Sequence, residues 1–176
     1  MLGKTANGLY WMCRDLERAE TTARLVHTAY RISLTRSKNL QEQWVSVMKT
    51  AGMDDLFKAH NENSVVSNAI NWMLRSSNNP SSVLSSISQA RSNARLVRNA
   101  LTAIVWAAIN RAFIDIKQKL ARRVSERNLP EVLELISDRI RSINGAIEGT
   151  MLRNEIFNFM RLGTFIERAD STARII

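Results

Sequence analysis

The amino-acid sequence predicts an all-α protein, a bundle of about six or seven helices whose first and last helices form an internal pseudo-repeat. Three observations carry that expectation. Only 6 glycines and 2 prolines interrupt 176 residues, so long stretches contain no helix breaker. Apolar residues recur at spacings of three and four, whereas the strict alternation of a strand is scarce. The third is a repeat: Glu17-Arg18-Ala19-Glu20-Thr21-Thr22-Ala23-Arg24 returns as Glu167-Arg168-Ala169-Asp170-Ser171-Thr172-Ala173-Arg174, and its two changes keep the chemical type. Repeats constrain architecture more than local propensity does.

The elements follow in order. Asn7 is placed to cap a long first helix that ends near Ser33. Asn39 opens a second helix over residues 40–50, and Gly52 ends it. Residues 54–60 make a short helix, with Asp54 and Asp55 in its first turn suiting the helix dipole. Asn63 or Ser64 caps the next helix, which turns Val66, Ile70, Met73 and Leu74 inward. Ser76-Ser77-Asn78-Asn79-Pro80-Ser81-Ser82 is the clearest turn. A long helical stretch covers residues 82–123, with an interruption expected near Asn99. Residues 125–128 break it, and Pro130 suits the first turn of another helix. Asn144-Gly145 and Gly149 mark a loose or kinked passage before a last helix over residues 151–176.

The two repeat segments carry more than shared charge. Leu9, Met12, Leu16, Ala19, Ala23 and Val26 form a seam at spacings of three and four. The positions 150 residues later, Phe159, Leu162, Ile166, Ala169, Ala173 and Ile176, are also all apolar. Both seams are expected to face inward and to meet near Ala19/Ala23 and Ala169/Ala173, where small side chains let backbones approach. Beside the seams lie Cys13, Glu17, Glu20 and Arg24, matched by Gly163, Glu167, Asp170 and Arg174. If the two helices cross antiparallel, Glu17 meets Arg174 and Glu167 meets Arg24.

Composition places all of this in one domain, residues 1–176, large enough for a single core. No run of 18 apolar residues offers a membrane span, and the N-terminus lacks the layout of a signal peptide. One cysteine, Cys13, rules out an internal disulfide and fits a reducing compartment, so a cytoplasmic protein is expected. The net charge of +9 admits an acidic partner, an anionic ligand, a membrane surface or nucleic acid. The basic residues are spread along helices, however, with local density only around residues 117–123 and at Arg91, Arg95 and Arg98. Such spread favours a solvated face first, an acidic partner second and nucleic acid last.

Most catalytic constellations are missing. A di-iron bundle needs Glu-x-x-His on two helices, and neither His27 nor His60 has a glutamate three residues before it, so no metal is expected. Cys13 has no sequence-evident histidine partner and reads as a small core residue. The residues from Gly3 to Gly8 lack the spacing and the lysine-serine ending of a phosphate loop, and no cofactor is expected. Trp11, Trp44, Trp72 and Trp106 read as packing. The candidate site is therefore the paired acids and arginines: Glu17, Arg18, Arg24, Glu167, Arg168 and Arg174. Two readings stay open. The groups form an ion-pair clasp, or they line a polar pocket in which the arginines hold a carboxylate or phosphate and Glu17 or Glu167 serves as a base.

Residues 10–25 resemble the opening of the alpha-E family, helical domains of bacterial proteins. The resemblance continues through Asn79-Pro80-Ser81-Ser82, Ala90-Arg91-Ser92-Asn93-Ala94-Arg95, residues 106–110 and Thr150-Met151. It ends with Phe159-Met160-Arg161-Leu162-Gly163 and the second octet, although Ser92 stands where the family more often has glutamate. Family members continue past the second motif, so the resemblance implies the N-terminal part of a longer member. They are often encoded beside, or fused to, ATP-grasp ligase-like and transglutaminase-like proteins. What the resemblance implies is a non-catalytic binding or accessory domain for an ATP-grasp-type peptide ligase or peptide-modification system. The alternative is an enzyme acting on a peptide or amide in a Glu/Arg-lined cleft. Homo-oligomers are compatible with either.

Overall fold

Helix signals in the sequence become helices almost throughout the computed structural model, which describes residues 2–35, 40–60 and 66–176. Eight α-helices occur among the described residues: α1 (Gly3–Ser33), α2 (Leu40–Thr50), α3 (Asp54–His60), α4 (Val66–Arg75), α5 (Val83–Leu96), α6 (Ala103–Lys119), α7 (Leu129–Thr150) and α8 (Glu155–Ala173). A single 3-10 turn, Arg98–Ala100, lies between α5 and α6. No strand is present among the described residues. The fold is all-α, with more helices than the six or seven expected. Asn39, Asn63 and Ser64, the expected caps of α2 and α4, lie outside the described residues.

Local chemistry explains where the boundaries fall. Gly52 adopts φ 66° just after α2, and the amides of Gly52 and Met53 turn back onto the carbonyls of Lys49 and Met48. That left-handed closure is what glycine supplies at a helix end. Ser82 caps α5 by accepting the amide of Ser85 at 3.2 Å, and Thr102 caps α6 by accepting that of Val105 at 3.2 Å. A new cap at Thr102 is the reason the stretch over residues 82–123 is two helices and not one. Asn154 caps α8 through the amide of Ile156, so α8 begins at Glu155 and not at Met151. Asn7 caps nothing, because α1 already starts at Gly3.

Gly145 and Gly149 do not interrupt the chain's helix: both lie inside α7. The isoleucine stripe Ile136, Ile140, Ile143 and Ile147 is buried along one face of α7, and the helix continues through both glycines to Thr150. Two asparagines tie irregular segments to the core. Asn71 on α4 accepts the amide of Val124 and donates to its carbonyl, each at 2.9 Å, in the manner of a paired backbone. Asn79, in the turn before α5, donates to the Trp72 carbonyl at 3.1 Å and accepts the Ser81 amide at 3.0 Å. Trp44 and Trp72 are buried in the core, whereas Trp11 is 38% exposed.

α1 is the central helix. It packs along α5 on one side and α8 on the other, and also touches α2, α4 and α7. It therefore buries a broad surface: Leu9, Met12, Leu16, Ala19, Ala23 and Val26 of the seam, together with Cys13, Asp15, Glu17 and Thr22. α8 lies at the edge, packed on α1, with no comparable contact to another helix among the described residues. It buries Phe157, Met160, Gly163 and Glu167, the flank and not the seam. The expectation of two inward seams fails for this second copy. Ala169 and Ala173 are exposed and form no contact seam with Ala19 and Ala23.

Candidate functional site

Where α8 meets α1, the approach is set by a glycine. A Cβ on Gly163 would fall on the Tyr10 carbonyl, so only glycine lets the two backbones come this close. From there the contacts advance in the same direction along both helices. Arg14 reaches Glu167, Glu17 meets Arg168 and Arg18 meets Glu167, at sequence separations of 153, 151 and 149. Gly163 lies against Tyr10 and Thr164 against Cys13, one turn before Glu167 and Arg168 meet Arg14 and Glu17, so α1 and α8 run the same way, which overturns the antiparallel crossing.

This register also overturns the expected pairs Glu17–Arg174 and Glu167–Arg24. Arg168 grips Glu17 with Nε on Oε1 and Nη2 on Oε2, both at 2.9 Å. Arg18 grips Glu167 the same way, Nε on Oε1 at 2.7 Å and Nη2 on Oε2 at 2.9 Å. Each motif's glutamate is thus held bidentately by the other motif's arginine. Here the two helices run the same way with the two dipeptides at matching heights, so like positions come face to face. Both carboxylates are buried, Glu17 at 4% and Glu167 at 3% exposure. A buried carboxylate needs such a planar partner, because an unpaired one is costly.

Arg24 and Arg174 stand at the margin. The Arg24 Nη2 is 4.0 Å from Glu17 and 3.5 Å from Glu20 on its own helix. Arg174 pairs with Asp170 one turn back at 3.0 Å, and its guanidinium packs over Gly52.

Two further members were not singled out from the sequence. Arg14 brings Nε and Nη2 to Glu167 Oε2 at 2.7 and 2.6 Å and lies over the Trp11 ring, 5.0 Å from its centroid. Burial disfavours its charge, but the hydrogen bond and charge of Glu167 outweigh that and hold the guanidinium above its ordinary value. Asp15 is 1% exposed, accepts the Asn93 amide of α5 at 3.1 Å and lies 3.4 Å from Arg18. Burial pushes its carboxyl up to about 6, against the lowering effect of Arg18 and Asn93. The spacing of Arg14 four residues before Arg18 was a legible signal for one face. Nothing in the sequence marked Asp15, whose counterpart in the second motif is Phe165.

The clasp borders a cavity of about 400 Å³. Arg14, Arg18 and Glu167 form one wall, Thr22 and Ser81 supply oxygens, and Arg174 closes the rim. Arg168 faces elsewhere and is held above its ordinary value chiefly by its hydrogen bond to Glu17. Cys13 lies between the helices, and burial pushes its thiol up to about 12. Among the described residues, no group of three or more His, Cys, Asp or Glu is placed to hold a metal ion.

A family profile described as a predicted alpha-helical domain with a conserved ER motif matches residues 1–176. The chain belongs to the Alpha-E family. Two Glu-Arg pairs stand in this Alpha-E chain at the repeated positions, 17–18 and 167–168, and they are the pairs that exchange partners in the clasp. No curated protein and no solved structure matches the chain. No described helix is long and apolar enough to cross a membrane.

Proposed function

We propose that this Alpha-E chain is a non-catalytic binding module in which the cavity beside the clasp receives a carboxylate or phosphate group. The observation that carries this is the condition of the site's ionisable groups. Both oxygens of Glu17 and both oxygens of Glu167 are engaged by guanidinium groups. A general base needs a lone pair turned to its substrate. The thiol of Cys13 is buried and held protonated, which removes the one candidate nucleophile of the seam flank. Arg14, Arg18 and Arg174 nevertheless border the cavity, and guanidinium edges with nearby hydroxyls recognise oxyanions. These facts favour binding over the alternative of a peptide- or amide-directed enzyme.

The family's gene company supplies the setting. An accessory role beside an ATP-grasp-type ligase, or a transglutaminase-like protein, in the cytoplasm gives such a cavity a natural occupant: the carboxylate end of a peptide. Calorimetric titration with a short peptide bearing a free carboxylate, against the same peptide amidated, tests this. Binding of the acid form alone, weakened by Arg174→Met, is expected, with the ligase-like neighbour retained on the immobilised chain. Equal binding of acid and amide forms, or turnover of peptide by the chain alone, defeats the proposal.

A further inference from the structure

The seam that α1 buries has an uncovered counterpart on α8. Leu9, Met12 and Leu16 are 0%, 0% and 3% exposed, whereas Phe159, Leu162 and Ile166, at the matching positions, are 37%, 46% and 41% exposed. Phe165 beside them is 46% exposed, and Ala169 and Ala173 continue the exposed stripe. Contiguous large apolar groups on one helix face mark an interaction surface, unlike scattered single ones.

What covers the buried seam describes what would fit the open one. α5 lies on α1 in the opposite sense: Thr22 reaches the Ser81 carbonyl before α5, and Gly8 adjoins Val97 after it. α5 presents Val83, Ile87, Ala90 and Ala94 at spacings of three and four, a narrow seam of small and aliphatic groups. At one position the two faces differ in kind. Asp15 of α1 takes a hydrogen bond from Asn93 of α5, but Phe165 occupies the matching place on α8 and asks for an apolar group.

Charge narrows the occupant further. Arg161 and Arg168 lie over the Phe165 ring at 4.5 and 5.7 Å with side chains 45% and 53% exposed; Arg168 is held by Glu17, and Arg161 shares the single carboxylate of Glu148 with Arg153, so the border of the apolar stripe keeps a net positive charge. The whole chain carries +9, which sets one copy against another. We infer that the open face of α8 docks an amphipathic helix of a separate, acidic partner, laid antiparallel to α8 with a small-and-aliphatic seam and flanking carboxylates. This stands on burial and charge along α8 and is independent of the ligand reading of the cavity.

The probe is a labelled synthetic peptide of about four helical turns, with leucine and alanine along one stripe and glutamates beside it. Its control carries lysines in place of the glutamates. Fluorescence anisotropy at low salt is expected to show saturable binding of the glutamate peptide, at least about tenfold tighter than the lysine peptide. Leu162→Glu with Ile166→Glu should weaken that binding by about tenfold or more, with unchanged helical circular dichroism because both side chains face solvent. Ile166→Ser is the milder variant and should weaken it in the same direction. Equal binding of the two peptides, equal binding by wild type and variants, or no binding of the glutamate peptide overturns the inference. So does sedimentation equilibrium showing a wild-type dimer that Leu162→Glu dissolves, since the occupant would then be a second copy.

Discussion

Glu17 stands to Arg168 as Glu167 stands to Arg18: each carboxylate is buried and each is gripped through both oxygens by an arginine from the other helix. The relation follows from two helices that run the same way and carry the same dipeptide at matching heights. Neither helix holds its own glutamate in this manner, so the motif is complete only when both copies are present. A Glu-Arg dipeptide on one helix would point its two groups in different directions. Two such dipeptides, face to face, satisfy each other.

Breaking one arm of this exchange should cost far more than removing a marginal arginine. Arg168→Met leaves Glu17 buried, with Arg24 at 4.0 Å as its nearest remaining partner among the ion pairs. Loss of one partner of a buried pair destabilises by about 3 kcal/mol. Arg24→Ala removes a side chain that is 61% exposed, and such surface pairs contribute less than about 1 kcal/mol. Urea unfolding of both variants, compared at constant denaturant slope, measures the difference. Equal losses would show that the clasp does not hold the helices together.

Asp15 gives the fold a pH dependence of known sign. Its carboxyl titrates at about 6 in the folded chain against 3.8 for the ordinary group, so between those values the folded state keeps a proton that the unfolded state has released. Stability from this group is therefore greatest below about pH 4 and falls as pH rises to about 6. The full fall is of order 3 kcal/mol. Asp15→Asn retains an acceptor for Asn93 and removes the titration. Other carboxylates act in both proteins, so the readout is the difference between the two stability curves. That difference should change across pH 4 to 6 and be flat above it. A constant difference across the window would contradict the assignment.

The helices were legible in the sequence because glycine, proline and capping signals are sparse and well placed. Residues 40–50 and 54–60 fall where the sequence puts them, since Gly52 and the paired aspartates are local signals. Four members of the clasp were legible too, because Glu17, Arg18, Glu167 and Arg168 stand in a repeated string, whereas Arg14 and Asp15 lie outside it. Its pairing was not. Identical seams on two helices do not say which helix lies at the centre, and that depends on α5, whose place is set by long-range packing. The central α1 hides its seam while the edge helix α8 shows its own. Gly163 was the available clue, since a glycine in a helix flank signals a close approach, and it sits one turn before Glu167.

The glycines of the last two helices should respond oppositely to alanine. A Cβ on Gly163 collides with the Tyr10 backbone, which cannot yield without shifting the whole of α8 from α1. Overpacking of this kind costs about 1–3 kcal/mol. A Cβ on Gly145 or Gly149 meets nothing within 4 Å. Both lie inside α7, where replacing glycine by alanine stabilises by about 0.5–1 kcal/mol. Thermal unfolding of Gly163→Ala, Gly145→Ala and Gly149→Ala decides this. A rise in midpoint for Gly163→Ala would place the α1–α8 contact elsewhere.

Cys13 turns the same contact into a clock. Its thiol is 3% exposed and pushed up to about 12 by burial, so at pH 8 only about one molecule in ten thousand carries the reactive thiolate even before access is considered. Thr164 of α8 is its hydrogen-bond partner, which places the sulfur between α1 and α8. Modification by a thiol reagent at pH 8 therefore requires α8 to leave α1 or the chain to unfold. Labelling should be slow in the native protein and complete in urea. Arg168→Met should speed native labelling by more than its effect on global stability predicts if α8 opens on its own, and in proportion to that effect if the two helices part only when everything unfolds. Rapid labelling of the wild-type protein would mean that Cys13 is not covered by α8 at all.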